Sequence, residues 1–177
     1  MTAPSSRTRM ITGLFADEAG AERGYQACVE RGYEIGAVNV VMAEETRNRL
    51  LAEGTEVGAE LASHKAEGGE LGGPHGGGVG MLVTASAAVG AAVLVPALGL
   101  VAGPIAVALA AAGAAGAAAG LIGLLSDWGV PDERIGEYRA GIDEGGILMM
   151  VEVGSEQDAR HIEQQWRALG AGDVHRT

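Results

Sequence analysis

The side chains with the most chemistry to offer are one cysteine, four histidines and a few adjacent acids, and none of them converges on a site. His64, His75, His161 and His175 show neither an HxxxH spacing nor a Cys/His pattern, so no metal centre is expected. Cys28 is the only cysteine; it sits among apolar helix positions without an obvious flanking cation, as a buried structural thiol does, and it rules out an intramolecular disulfide. Glu44-Glu45 and Asp132-Glu133 look like paired acids, but each opens a helical segment, where the macrodipole accounts for them. The glycine-rich run Gly72–Gly80 lacks the GK[ST] ending and the preceding strand of a phosphate loop. No catalytic residue, cofactor or small-molecule ligand is implied, and the chain reads as a non-enzyme.

The elements that would carry such residues are organised around a stretch with no charge. From Leu71 to Ser126 there is no Asp, Glu, Lys or Arg, whereas Lys65, Glu67 and Glu70 precede it and Asp127, Asp132 and Glu133 follow. Two apolar runs, Val79 to about Leu100 and Ile105 to Leu125, flank Pro96 and Pro104. At about 21 residues each, either would rise about 31 Å as a helix, close to the hydrocarbon thickness of a bilayer. The spacing predicts a helical hairpin over 79–126 that turns between the two prolines, with Trp128 as an interface anchor at its far end. Gly99 and Gly103, and Ala112, Gly116 and Gly120, recur at i, i+4, the glycine-zipper spacing that lets helix backbones approach closely and predicts packing or oligomerisation through those faces. The hydrophobicity itself is weak. Seven large aliphatics in the second run (Ile105 to Leu125) supply only about −2 to −4 kcal/mol toward insertion. Burial between subunits and burial in lipid therefore both stay open as ways to cover the hairpin.

Composition narrows the partners. A formal charge of −11 over 177 residues opposes binding to nucleic acid, which needs a basic stripe, and opposes capture by anionic headgroups. No aromatic lies between Tyr33 and Trp128, so the insert must pack through small residues. No apolar signal-peptide core follows Arg7 and Arg9, which leaves the cytoplasm, or the cytoplasmic face of the inner membrane through the hairpin, as the expected location.

Around the insert the order is regular. Residues 1–8 are a polar tail expected to be disordered. Arg9–Phe15 reads as a strand; Asp17 caps a helix with Ala21, Tyr25, Cys28 and Val29 on one face; Ile35–Met42 is a second strand, so 9–43 forms a βαβ half. Residues 44–78 read as a weak helix fading into glycine-rich linker. After the insert, 127–177 forms the second half: a helix started by Val130-Pro131-Asp132-Glu133, a strand Ile147–Val153, and a helix capped by Ser155. That helix carries Ala159, Ile162, Trp166 and Leu169 on one side, and a short last strand follows around Asp173–His175. The order βαβ–insert–α–βαβ is an α+β, split ferredoxin-like domain. Ile147–Val151 is apolar on both faces, so the sheet's second face needs a cover from a partner subunit, the preceding helix or the insert.

TGLFADEAGAERGYQACVERGY, the Ala/Gly segment and WGVPDERIGEYRAGIDEGGILMMVEV together resemble the bacterial general-stress-protein family of the YflT heat-induced type. The resemblance covers most of the chain, rests on structural motifs, and implies a stress-associated role with no catalytic residue to carry over. Three readings follow: a stress protein associating with itself or with a membrane through the hairpin, a soluble homo-oligomer or filament former with the hairpin buried between subunits, and a small-molecule sensor resembling ACT-type regulatory domains.

Overall fold

The computed structural model describes residues 9–34, 37–53, 92–95, 99–102, 122–123, 125–126 and 129–177. Among the described residues the elements are, in order, β1 (Arg9–Phe15), α1 (Glu18–Glu30), β2 (Val38–Met42), α2 (Glu44–Glu53), β3 (Ala92–Val95), β4 (Gly99–Ala102), α3 (Asp132–Asp143), β5 (Ile147–Val153), α4 (Glu156–Ala168) and β6 (Gly172–Arg176). The fold is mixed α/β. Four strands in the order β2-β5-β1-β6 make an antiparallel sheet, and β4 then β3 extend it beyond β2. β1 and β5 pair along their full length, from Arg9 with Val153 to Phe15 with Ile147.

Local chemistry sets the helix ends. Asp17 Oδ1 accepts from the Gly20 N–H at 2.6 Å, which satisfies one of the free donors that open α1. At α4, Ser155 Oγ accepts from the Asp158 N–H at 3.1 Å and donates to Asp158 Oδ2 at 2.7 Å. A glutamate would reach back to the cap's backbone; the shorter aspartate takes the hydroxyl instead. α3 ends where Gly145 adopts a φ of +98° and the Gly146 N–H returns to the Gly141 carbonyl at 2.8 Å. A Cβ on Gly146 would lie 2.7 Å from that carbonyl oxygen and 3.0 Å from Phe15 O, so α3 can enter β5 this tightly only through glycine. β2 begins at Val38, three residues later than the sequence suggests, and just before it the Ala37 N–H bonds to Glu34 O at 2.9 Å.

The core lies between the sheet and the helices α1 and α4. Ile11, Phe15, Val40, Met149 and Val151 face Tyr25, Cys28, Ile162 and Trp166, all essentially buried. Phe15 and Trp166 meet edge to face with centroids 5.7 Å apart, and Trp166 Nε1 donates to Gly24 O at 3.0 Å, so the largest side chain packs without stranding its polar atom. The second face is covered as well. α3 lies over β1 and β5, with Tyr138 against Thr12 and Gly141 so close to Leu14 that a Cβ would overlap it. Val41, Leu148 and Met150 are buried on that side.

The insert departs from expectation. Where a helical hairpin was predicted over 79–126, Ala92–Val95 and Gly99–Ala102 are antiparallel strands, with Ala92 opposite Ala102 and Val95 opposite Gly99. The turn expected between Pro96 and Pro104 therefore cannot hold as placed, since Gly99–Ala102 is strand. Val93, Val95 and Val101 favour strand, and β2 offers an edge to pair with. Near the end of the insert, 122–123 and 125–126 are helical, Leu125 is buried and Ile122 is 39% exposed. Tail residues 1–8, the linker beyond Glu53 and the remainder of the hairpin lie outside the described residues.

Candidate self-association surface

Among the described residues the reactive groups are dispersed. Cys28 is fully buried and burial pushes its thiol up to about 12, so it carries essentially no thiolate at neutral pH. His161 lies on α4 and His175 on β6, while His64 and His75 fall outside the described residues. Among the described residues no three His, Cys, Asp or Glu side chains gather as a metal site. Glu44 and Glu45 open α2 and Asp132 and Glu133 open α3, at the positive ends of their helix dipoles.

One polar cluster was invisible in the sequence. Tyr138 Oη lies 2.7 Å from Thr12 Oγ1 and donates to Asp173 O at 2.8 Å, so α3, β1 and β6 meet at one hydroxyl. Burial raises the Tyr138 pKa. Arg134 Nη1 is buried with no hydrogen bond and stands 3.6 Å from Asp173 Oδ1, a residue with φ of +47° where the β1–β6 register slips. Burial, then the Arg134 charge, pushes the His175 pKa down. Spacing gave Tyr138 as an apolar stripe position; its hydroxyl partners lie 126 and 35 residues away.

This cluster closes one edge of the sheet. Thr177 N–H donates to Met10 O at 3.1 Å, which by strand alternation turns the groups of Val174 outward. Arg167 Nη2 reaches that outward carbonyl at 3.3 Å. Charged Asp173 and Arg176 and the register slip complete a protected edge. Arg176 Nη1 also pairs with Glu156 Oε1 at 2.7 Å.

At the opposite end lie β4 and β3. Gly99, expected in a helix–helix contact, opens β4 opposite Val95. Gly103, Ala112, Gly116, Gly120, Pro96, Pro104 and Trp128 lie outside the described residues. Among the described residues β4 pairs with β2 as Val40 with Ala102, Val41 with Val101 and Met42 with Leu100. Beyond it β3 reads Ala-Val-Leu-Val, without a charge or a proline to blunt it. Among the described residues no helix is long and apolar enough to cross a membrane. Comparison with family models, with curated proteins and with solved structures finds no match to this chain.

Proposed function

We propose that this is a non-enzymatic, stress-associated protein of the cytoplasm that acts by associating with copies of itself through its uncharged insert. It displays a split ferredoxin-like domain, a reading supported by four antiparallel strands in the order β2-β5-β1-β6, with α1 and α4 on one face. The stress role rests on the family resemblance. Self-association rests on one observation: the middle of the insert is paired into the sheet of the domain at β2.

That pairing weighs against two membrane-spanning legs. With 92–102 in a ribbon, the first leg shrinks to 79–91, which even as a continuous helix would rise about 20 Å against a hydrocarbon core of about 30 Å. The second leg alone brings only about −2 to −4 kcal/mol from its large aliphatics. Apolar strands on a sheet are covered economically by protein, and a second copy supplies a matching surface. The test is extraction without detergent followed by chromatography with light scattering. A discrete soluble oligomer is expected. Recovery only in the membrane pellet would overturn this reading in favour of lipid.

A further inference from the structure

We infer that Arg9, Arg160 and Arg176 form a binding site for a phosphate dianion, at the corner where the first turns of α4 meet the start of β1 and the end of β6. The inference goes beyond self-association and does not depend on it. Three arginines from three elements converge there on one carboxylate. Arg176 Nη1 donates to Glu156 Oε1 at 2.7 Å, Arg160 Nε donates to the same oxygen at 3.1 Å, and Arg9 Nε stands 3.4 Å from Oε2. Register brings them together. Arg176 lies opposite Ile11, two residues along β1 from Arg9, so strand alternation points both toward the face that Ile11 turns to α4. Arg160 follows Glu156 by one helical turn.

Charge decides what such a corner can take. Three guanidiniums against one carboxylate leave an excess of +2. The nearby acids are already matched: Asp158 pairs with Arg31 at 2.7 Å, and Glu163 pairs with Arg167 at 2.8 Å, closer than its 4.0 Å to Arg176. The positive end of α4 adds to the excess. The Arg160 hydrogen bond, then the charges of Arg176 and Arg9, hold the Glu156 carboxyl below its ordinary pKa. A phosphate monoester carries about −1.5 to −2 at neutral pH, which cancels that excess, and guanidinium forks match its oxygens. Fastening two strands to a helix needs no such surplus, because exposed ion pairs contribute little. The acids that make the whole chain −11 act weakly here, since charges more than about 10 Å away are screened at about 0.1 M salt. The corner is also open: the Arg160 side chain is 68% exposed, and those of Arg9 and Arg176 are 41% and 36%. Glu156 stands where the anionic oxygens of a ligand would, and competes with them.

The test is a titration of the full chain with inorganic phosphate at constant ionic strength, followed by amide resonances, with chloride as the control. Saturable shifts confined to 155–160 and Arg176 are expected with phosphate and absent with chloride. A phosphoserine peptide and its unphosphorylated form separate the two sources of the dianion. Equal affinity for phosphate and the phosphopeptide assigns the site to small phosphorylated molecules; tighter binding of the phosphopeptide assigns it to a phosphorylated side chain. Arg160→Gln should weaken phosphate binding about tenfold, the loss of one charge-assisted hydrogen bond. Arg9→Gln, on another element, gives the same loss where Arg160→Gln disturbs α4. Glu156→Gln should tighten binding by removing the competing carboxylate, whereas a network that only fastens β1 and β6 to α4 gives a lower urea midpoint and no phosphate binding. Shifts that rise linearly with phosphate, shifts that chloride reproduces, or unchanged binding in Glu156→Gln overturn the site.

Discussion

The two ends of the sheet are fastened by different means. At β6, side chains brought from other elements lock the strand: Tyr138 from α3 donates to Asp173 O, with the Thr12 hydroxyl of β1 2.7 Å from its oxygen, and Arg167 from α4 donates to Val174 O. At β4, backbone pairing joins the ribbon to β2, among the described residues from Val40 with Ala102 to Met42 with Leu100. The difference teaches that one edge is closed by side chains from distant elements, whereas the other is extended by backbone pairing. A strand whose outward carbonyl is already taken is a poor template for a neighbour, whereas an uncharged strand without proline lacks that protection.

Four perturbations sharpen this contrast. The largest effect is expected from Trp166→Ala, which empties the space against Phe15 and removes the indole donor to Gly24 O. A loss of about 3–5 kcal/mol should appear as a lowered denaturation midpoint by urea titration. Tyr138→Phe keeps the ring and removes the hydroxyl shared by Thr12 and Asp173 O. It should cost about 1–3 kcal/mol and raise hydrogen exchange in β6 ahead of β5.

The third perturbation is pH. Cys28 moves from 9.0 to about 12 on folding, and Tyr138 also moves up from its ordinary value. Both folded pKa values lie above the unfolded ones, so their contribution is complete below about pH 9 and is lost as pH rises toward 12. His175 has a depressed folded pKa, so the unfolded chain takes its proton first and stability falls as pH drops below about 6.5. Urea midpoints at pH 5.5, 8 and 10.5 should therefore peak at 8; a flat profile would refute the burial of these groups. The smallest effect on folding is expected from Val101→Pro, which removes a backbone donor from β4. The four-stranded sheet should keep its denaturation midpoint while light scattering reports loss of the oligomer.

Much of the four-stranded domain was legible because its local signals agree with one another. Arg9–Phe15 and Ile147–Val153 have the length and apolarity of buried strands, and Asp17, Pro131 and Ser155 mark helix starts where the structure has them. The insert was less legible for a physical reason. In a run of Gly, Ala, Val and Leu without charges, no polar position reveals a period of 2 or 3.6, so length alone favoured helices. What decides between strand and helix at Val93 and Val101 is the edge of β2, more than fifty residues upstream in the chain. Tyr138 teaches the same lesson at the other end: its place on a helical stripe shows burial, and only the assembled sheet shows what its hydroxyl holds.

The central claim is that the middle of the uncharged insert is strand joined to β2. Carbon chemical shifts of Val93, Leu94, Leu100 and Val101 in the full chain test it most directly, together with cross-strand amide contacts between Val41 and Val101. The account predicts Cα shifts below and Cβ shifts above random-coil values, with those contacts present. Helical shifts continuous through 92–102 would contradict it and restore a helical hairpin.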